Sequence, residues 1–321
     1  MTRYAAVFTL LSVGVALSQE KQVAGANTAP ETQDLVVTNV QYIYGFPKTK
    51  PNEKGKLTIN SDGLTFTGVS STYSIPRSSL IAVDAGNERV ELWGTKGRLL
   101  RMAIPYGGGS VASGVMHHRV SMLTAEFRDD HKGFHSAVFY VPAEDAARVL
   151  KSLSQAPLPE DGSIARVEKA GSECQRSNVI PNSVLIEAPV RNNIQVPTAY
   201  KALVYEHIVN RIQHLKGVEH VYRAGEISES SGCPQYTIRL ELTNFKQGSQ
   251  VKRAIMGWAG YVVGTTQMTF RTTITDASGH QPVTQDVKAT VRGASESKNV
   301  GDGLAKRIAK SYATVLKSHQ S

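Results

Sequence analysis

The chain has 321 residues, 40% of them hydrophobic and 20% charged. That balance excludes a disordered or fibrous chain and is enough for real cores in two domains. Two cysteines exclude a disulfide-dense scaffold, and a formal charge of +9 admits anionic partners, although Lys and Arg are scattered along the chain.

Arg3 precedes an apolar run over residues 5–17, and Ala16-Leu17-Ser18 offers two small residues around a spacer. The pattern predicts a secretory signal peptide over residues 1–18, with Gln19 next. A run of ~13 apolar residues is too short to span a bilayer, which needs ~20. No cysteine follows the run, so no lipid anchor is expected there, and no later segment is apolar enough for a transmembrane helix. The expected location is periplasmic or secreted. Residues 19–33 are small and polar and predict a flexible lead-in.

From residue 34 the chain reads as strands. Residues 35–44 are rich in β-branched and aromatic side chains, and residues 56–60 and 64–69 alternate around the turn Ser61-Asp62-Gly63. Short strands are predicted at 72–75, 80–84 and 89–93. A second hairpin pairs 120–128 with 134–141 across the turn Asp129-Asp130-His131-Lys132-Gly133. A helix follows Pro142, with Ala146, Val149, Leu150 and Leu153 on one face. Residues 34–153 therefore predict an antiparallel β-barrel or sandwich closed by a C-terminal helix.

The runs Gly55-Lys56-Leu57-Thr58-Ile59, Gly63-Leu64-Thr65-Phe66, Tyr73-Ser74-Ile75-Pro76 and Leu80-Ile81-Ala82-Val83 resemble the opening hairpins of pleckstrin-homology-like domains of the GRAM type. The resemblance implies a fold and a capacity to bind lipid, peptide or protein.

Residues 154–182 hold Pro157, Pro159, Gly162, Gly171 and Pro181 and predict a linker. The second domain, 183–318, opens on a strand at 183–187. A helix from Thr198, its expected cap, to about residue 216 repeats Leu203, Val204, Ile208, Ile212 and Leu215 at helical spacing before Gly217. Strands are expected at 218–223, 235–245, 265–275 and 282–291, and a last helix over about 302–317. The order predicts a mixed-sheet sandwich with two helices, so the whole chain reads as a two-domain α+β protein.

The residues Phe245-Lys246-Gln247-Gly248-Ser249, Arg253-Ala254-Ile255-Met256-Gly257-Trp258-Ala259-Gly260 and Thr275-Asp276-Ala277-Ser278-Gly279 resemble a family of uncharacterised bacterial envelope proteins. Those are related in fold to the periplasmic domain of the curli secretion channel and to outer-membrane lipoproteins that assist assembly. The family brings no established chemistry, and its usual lipobox cysteine is absent here.

Four stretches hold residue types that could carry chemistry. Cys174 and Cys233 sit in Gly/Pro-rich contexts and predict a disulfide, worth about 4 kcal/mol for a loop of ~60 residues. His131 and His135 have metal-ligand spacing for a helix, but they flank a hairpin turn. The glycines of 107–114 precede no Gly-Lys-Ser/Thr, and Ser110 and Ser113 lack a nucleophile elbow. Arg253, Trp258 and Tyr261 lie in a Gly-rich aromatic run and are the candidate contact for a partner or membrane surface. No catalytic residue, cofactor or metal is expected. The expected protein is a non-catalytic exported envelope protein with a binding or assembly role. Its partner would be an envelope protein or an anionic lipid or glycan surface, and not nucleic acid. The alternative is a hydrolase of an envelope polymer, with Ser110, His117 and a carboxylate gathered by folding.

Overall fold

A computed structural model of the chain describes residues 34–47, 49–91, 117–154, 178–191, 193–226, 232–248, 264–292 and 298–320. Strands β1 (Leu35–Tyr44), β2 (Lys54–Ile59), β3 (Gly63–Gly68), β4 (Thr72–Pro76), β5 (Leu80–Glu91), β6 (His117–Arg128) and β7 (Phe134–Pro142) pair in the order β4-β3-β2-β1-β7-β6-β5. All these pairings are antiparallel. β4 and β5 end the sheet on opposite edges, so it stays open rather than closing as a barrel.

In β1, Val37 and Val40 both reach the core, although residues three apart in a regular strand face opposite ways. A register shift between them, with Asn39 at φ 57°, turns both inward. Helix α1 (Ala143–Ser154) lays Ala146, Val149 and Leu153 on the core of Leu57, Phe66 and Phe139. Glu144 and Asp145 in its first turn and Lys151 in its last complement the helix dipole. The two strands expected at 80–84 and 89–93 are instead the single strand β5. Its ladder to β6 runs from Leu80↔Phe127 to Glu91↔His117, through the Ala85-Gly86-Asn87 stretch that reads locally as a break.

The second half comprises β8 (Val179–Ile186), β9 (Val190–Arg191), helix α2 (Thr198–Ile212), β10 (His220–Arg223), β11 (Cys233–Lys246), β12 (Thr266–Asp276), β13 (Val283–Val291) and helix α3 (Asn299–Gln320). Its sheet runs β10-β8-β11-β12-β13, with β9 beside β11. β8 is parallel to β10 and β11, while β11, β12 and β13 are antiparallel, so the sheet is mixed as expected. Helices α2 and α3 pack on each other, and α3 covers β12 and β13. Pro197 rather than Thr198 is the N-cap of α2, and the helix stops at Ile212. Both halves together give the α+β architecture.

The halves meet through β7 and α2. Every residue of β7 up to Val141 is buried. Ala137, Phe139 and Val141 face the core under α1, and Val138 and Tyr140 face Ala199, Ala202 and Leu203 of α2. α2 is correspondingly buried almost all round, Lys201 and Glu206 included.

β1 pairs with β7 as far as Tyr44↔Val138, and Gly45, with φ 118°, still presses on it, since a Cβ there would lie 1.9 Å from the Ser136 carbonyl oxygen; beyond Gly45 the chain leaves β7. The edge of β7 exposed by that departure is satisfied from the second half. Phe134 N–H donates to Ala224 O at 2.9 Å, and Ser136 N–H donates to Glu206 Oε1 at 2.9 Å. Arg223 Nη1 donates to Phe134 O at 2.9 Å, and both guanidinium nitrogens reach Glu206 at 3.0 and 2.9 Å. The side chains of Glu206 and Arg223 are only 3% and 16% exposed, which makes this a desolvated pair. Burial works against the Arg223 charge, but Glu206 outweighs it and holds the guanidinium pKa above its ordinary value.

Replacing Glu206 by Ala orphans both Arg223 and the Ser136 N–H. It is expected to cost about 3–5 kcal/mol, read as a lower urea midpoint. Adding Arg223→Met should recover part of the loss. A cost under about 1 kcal/mol, typical of a solvated pair, would contradict this account.

Candidate functional site

A cavity of about 640 Å³ opens at this seam. One wall is the end of β1 and the turn after it: Tyr42, Tyr44, Gly45, Phe46, Pro47, Thr49 and Pro51. The opposite wall is α2 and the residues just past it, Glu206, Val209, Asn210 and Gln213. Asp129 and His135 of the β6–β7 hairpin, with Val221, Arg223 and Glu226, complete the lining. The size lies within the range of small-molecule sites, ~300–1,000 Å³.

Local chemistry fixes each wall. Phe46 N–H donates to Tyr42 Oη at 2.7 Å, which curls the chain after β1, and the Phe46 ring stacks on Tyr73 at 4.1 Å. Tyr44 lies over His207 of α2, with ring centroids 4.0 Å apart. In the hairpin turn, Asp129 Oδ1 accepts the N–H of His131 at 2.9 Å and of Gly133 at 2.8 Å, while Oδ2 takes His135 Nε2 at 3.1 Å. Folding thus joins Asp129 to His135 rather than His131 to His135. His135 belongs to β7, stacks on Phe127 at 5.2 Å and is 3% exposed, so it is no solvated turn residue.

Burial works against the Asp129 carboxylate, but hydrogen bonds from His135, Gly133 and His131 outweigh it and hold its pKa below the usual range. Burial first, and the Arg223 charge second, push the His135 pKa down against the pull of Glu206 and Asp129. The ring is therefore neutral: Nε2–H donates to Asp129, and the buried Nδ1 finds no hydrogen-bond partner among the described residues. Glu226 accepts the Arg223 N–H at 2.7 Å. The charged groups of the cavity are thus held by each other and by backbone, and the wall offers fixed acceptors beside aromatic and proline surface.

A second cluster lies in the β12–β13 turn and the end of α3. Asp276 Oδ2 takes His280 Nδ1 at 2.7 Å and His319 Nδ1 at 2.9 Å, and the three ligand-capable atoms lie within 4.8 Å of one another. Sequence reasoning missed both arrangements. His135 stands six residues from Asp129, and His319 is 43 residues from Asp276. Asp129 and His135 flank a turn already read for its histidines, and Asp276-x-x-x-His280 is the local signal of the second cluster.

Of the residues expected from sequence, Cys233 begins β11, paired with Val179 and 5% exposed, whereas Cys174 lies outside the described residues. Arg253, Trp258 and Tyr261, and the serines of 107–114, also lie outside them, and His117 is described in its backbone alone. The described residues on either side of 249–263 are Gly248 and Gly264. Gly248 N–H donates to Thr266 Oγ1 at 3.1 Å, and a Cβ on Gly248 would lie 2.1 Å from the Gly264 carbonyl oxygen. Among the described residues, no helix is long and apolar enough to cross a membrane.

Two measurements follow. His207, with Nδ1 3.9 Å from Asp302 Oδ1, is driven by burial to a pKa of about 4 despite that carboxylate. Its ordinary unfolded value is about 6.5, so the unfolded chain binds the proton more readily. Stability is whole above about pH 6.5 and falls as pH drops toward about 4, by roughly 3 kcal/mol for this group. His135 adds in the same direction. Urea unfolding at a series of pH values should show that slope in the wild type and a shallower one in His207→Gln; equal slopes would refute it. Separately, maleimide labelling of the denatured, unreduced chain should find neither Cys174 nor Cys233 reactive, and two labelled thiols would refute the bridge.

No protein-family model matches the chain, and no curated protein matches it. A solved structure, a hypothetical protein from Chlamydia trachomatis, is similar at 9% identity over 43% of this chain and 96% of that one, with a TM-score of 0.30. A likeness at that score carries no functional argument.

Proposed function

We propose that this chain is an exported, non-catalytic binding protein of the cell envelope that seats a hydroxyl-rich ligand, the glycan of an envelope polymer, in the seam cavity. The observation that carries the reading is the pairing inside the cavity. His135 Nε2 is committed to Asp129 and Glu206 is committed to Arg223 and Ser136, so these groups serve as a rigid recognition wall rather than as proton carriers. Hydroxyl groups need acceptors in fixed positions and an apolar surface for their ring faces. Asp129 and Glu226, held by backbone N–H groups, supply the first, and Tyr44, Phe46 and Pro47 the second. The leader-like first 18 residues and the charge of +9 favour export and an anionic envelope setting. The segment with Arg253, Trp258 and Tyr261 is kept as a second candidate contact, for a partner protein or an anionic lipid surface.

Soluble glycan fragments released from envelope polymer are the probe. Isothermal titration should give saturable binding to the wild type, and Thr49→Trp, which plugs the mouth of the cavity, should weaken it at least tenfold with an unchanged circular dichroism spectrum. Equal binding by the variant, no binding, or fragments recovered cleaved would each overturn the reading.

A further inference from the structure

The turn between β12 and β13 and the last turn of α3 carry a feature that the seam cavity does not use. Two imidazoles, His280 from the turn and His319 from the helix, aim their Nδ1 atoms at the same oxygen of Asp276, at 2.7 and 2.9 Å. Their rings lie against each other, with centroids 4.0 Å apart and planes 21° apart. The Asp276 side chain is 2% exposed, His319 14% and His280 51%, so the cluster has a buried carboxylate at its base and an open side toward solvent.

We propose that Asp276, His280 and His319 form a binding site for a zinc-class transition-metal ion, with Asp276 Oδ2 and the two Nδ1 atoms as ligands and water completing a four-coordinate shell. The donor set is the imidazole and carboxylate mixture that suits such ions, and three protein ligands with one open position is a recurrent arrangement for zinc. Ligands at ~2.0–2.2 Å from a tetrahedral ion stand roughly 3.3 Å apart. The two N···O separations are shorter than that by about half an ångström. Binding therefore needs the half-exposed His280 ring to swing out of its stack on His319, so that both in-plane Nδ1 lone pairs meet one ion, and a small shift of His319 at the helix end.

An imidazole in the tautomer that carries its proton on Nε2 presents the Nδ1 lone pair to the ion, so the atoms that now face Asp276 are the ones that would bind. Ser278 N–H reaches Oδ1 at 2.8 Å and leaves Oδ2 for the ion. The His319 ring lies against Tyr236, with centroids 6.0 Å apart and planes 28° apart, which holds it at the end of α3. A bound ion would clamp the end of α3 to the hairpin turn, two points 43 residues apart in sequence.

The test is titration of zinc chloride into the chelator-stripped chain, with parallel titrations of His280→Ala and His319→Ala. One equivalent should bind the wild type. Each variant should bind at least about 100-fold more weakly, the upper end for losing even an outer partner of a metal ligand. His280 sits half-exposed in a turn, so its variant keeps the fold, which circular dichroism checks. Histidine 15N spectra should show the Nδ1 signals of residues 280 and 319, and not those of the other histidines, moving on addition of zinc. No saturable binding, binding unchanged in both variants, or shifts confined to other histidines would overturn the site. Glycan binding at the seam is read in a separate titration, so the failure of one proposal is distinguishable from failure of the other.

Discussion

The molecule turns on a carboxylate and a guanidinium that meet where a strand runs out of partners. β1 leaves β7 at Gly45, and the backbone groups of Phe134 and Ser136 would otherwise be stranded inside the protein. An unpaired buried N–H or C=O costs about as much as a lost hydrogen bond, and an edge invites foreign strands. Glu206 and Arg223 meet both needs from the other half of the chain. The ring of Tyr205 lies 5.8 Å beneath the Arg223 guanidinium, and its hydroxyl accepts the Ala224 N–H at 3.0 Å, so the charged pair rests on an ordered aromatic floor.

The cavity is the geometric consequence of the same departure. A chain that peels off a sheet and curls back leaves a gap between itself and whatever covers the sheet. Tyr42 and Phe46 hold the curl, α2 provides the cover, and the polar groups that settle the strand edge become the lining. Fold and site therefore share residues, and the lining is rigid because it is structural.

The strand pattern of the first half and the mixed order of the second were legible because alternation and turn chemistry are local signals. The hairpin 54–68 folds around Ser61-Asp62-Gly63 as its residues dictate. Other features depend on distant partners. Phe134-His135-Ser136-Ala137-Val138-Phe139-Tyr140-Val141 is buried throughout because elements from both halves cover its two faces, whereas its hairpin pattern announces only its pairing. α2 likewise offered one apolar face at helical spacing, yet its Ala199, Lys201, Ala202 and Glu206 are buried as well. Asp276 with His319 is a union made by tertiary packing, and Asp129 with His135 one made by the pairing across the hairpin turn, and no periodicity announces either. The candidate contact residues Arg253, Trp258 and Tyr261 lie outside the described part of the chain.

The close approach at Gly248 closes one position of the chain to every side chain. β11 and β12 are zipped from Tyr236↔Asp276 to Lys246↔Gln267, and just past that last pair a Cβ on Gly248 would lie 2.1 Å from the Gly264 carbonyl oxygen. Even alanine there would push the two backbones apart and pull the Gly248 N–H from Thr266 Oγ1. The end of this hairpin ladder is thus set by space rather than by side-chain chemistry, and the residue that permits it is the one with nothing to contribute but its smallness.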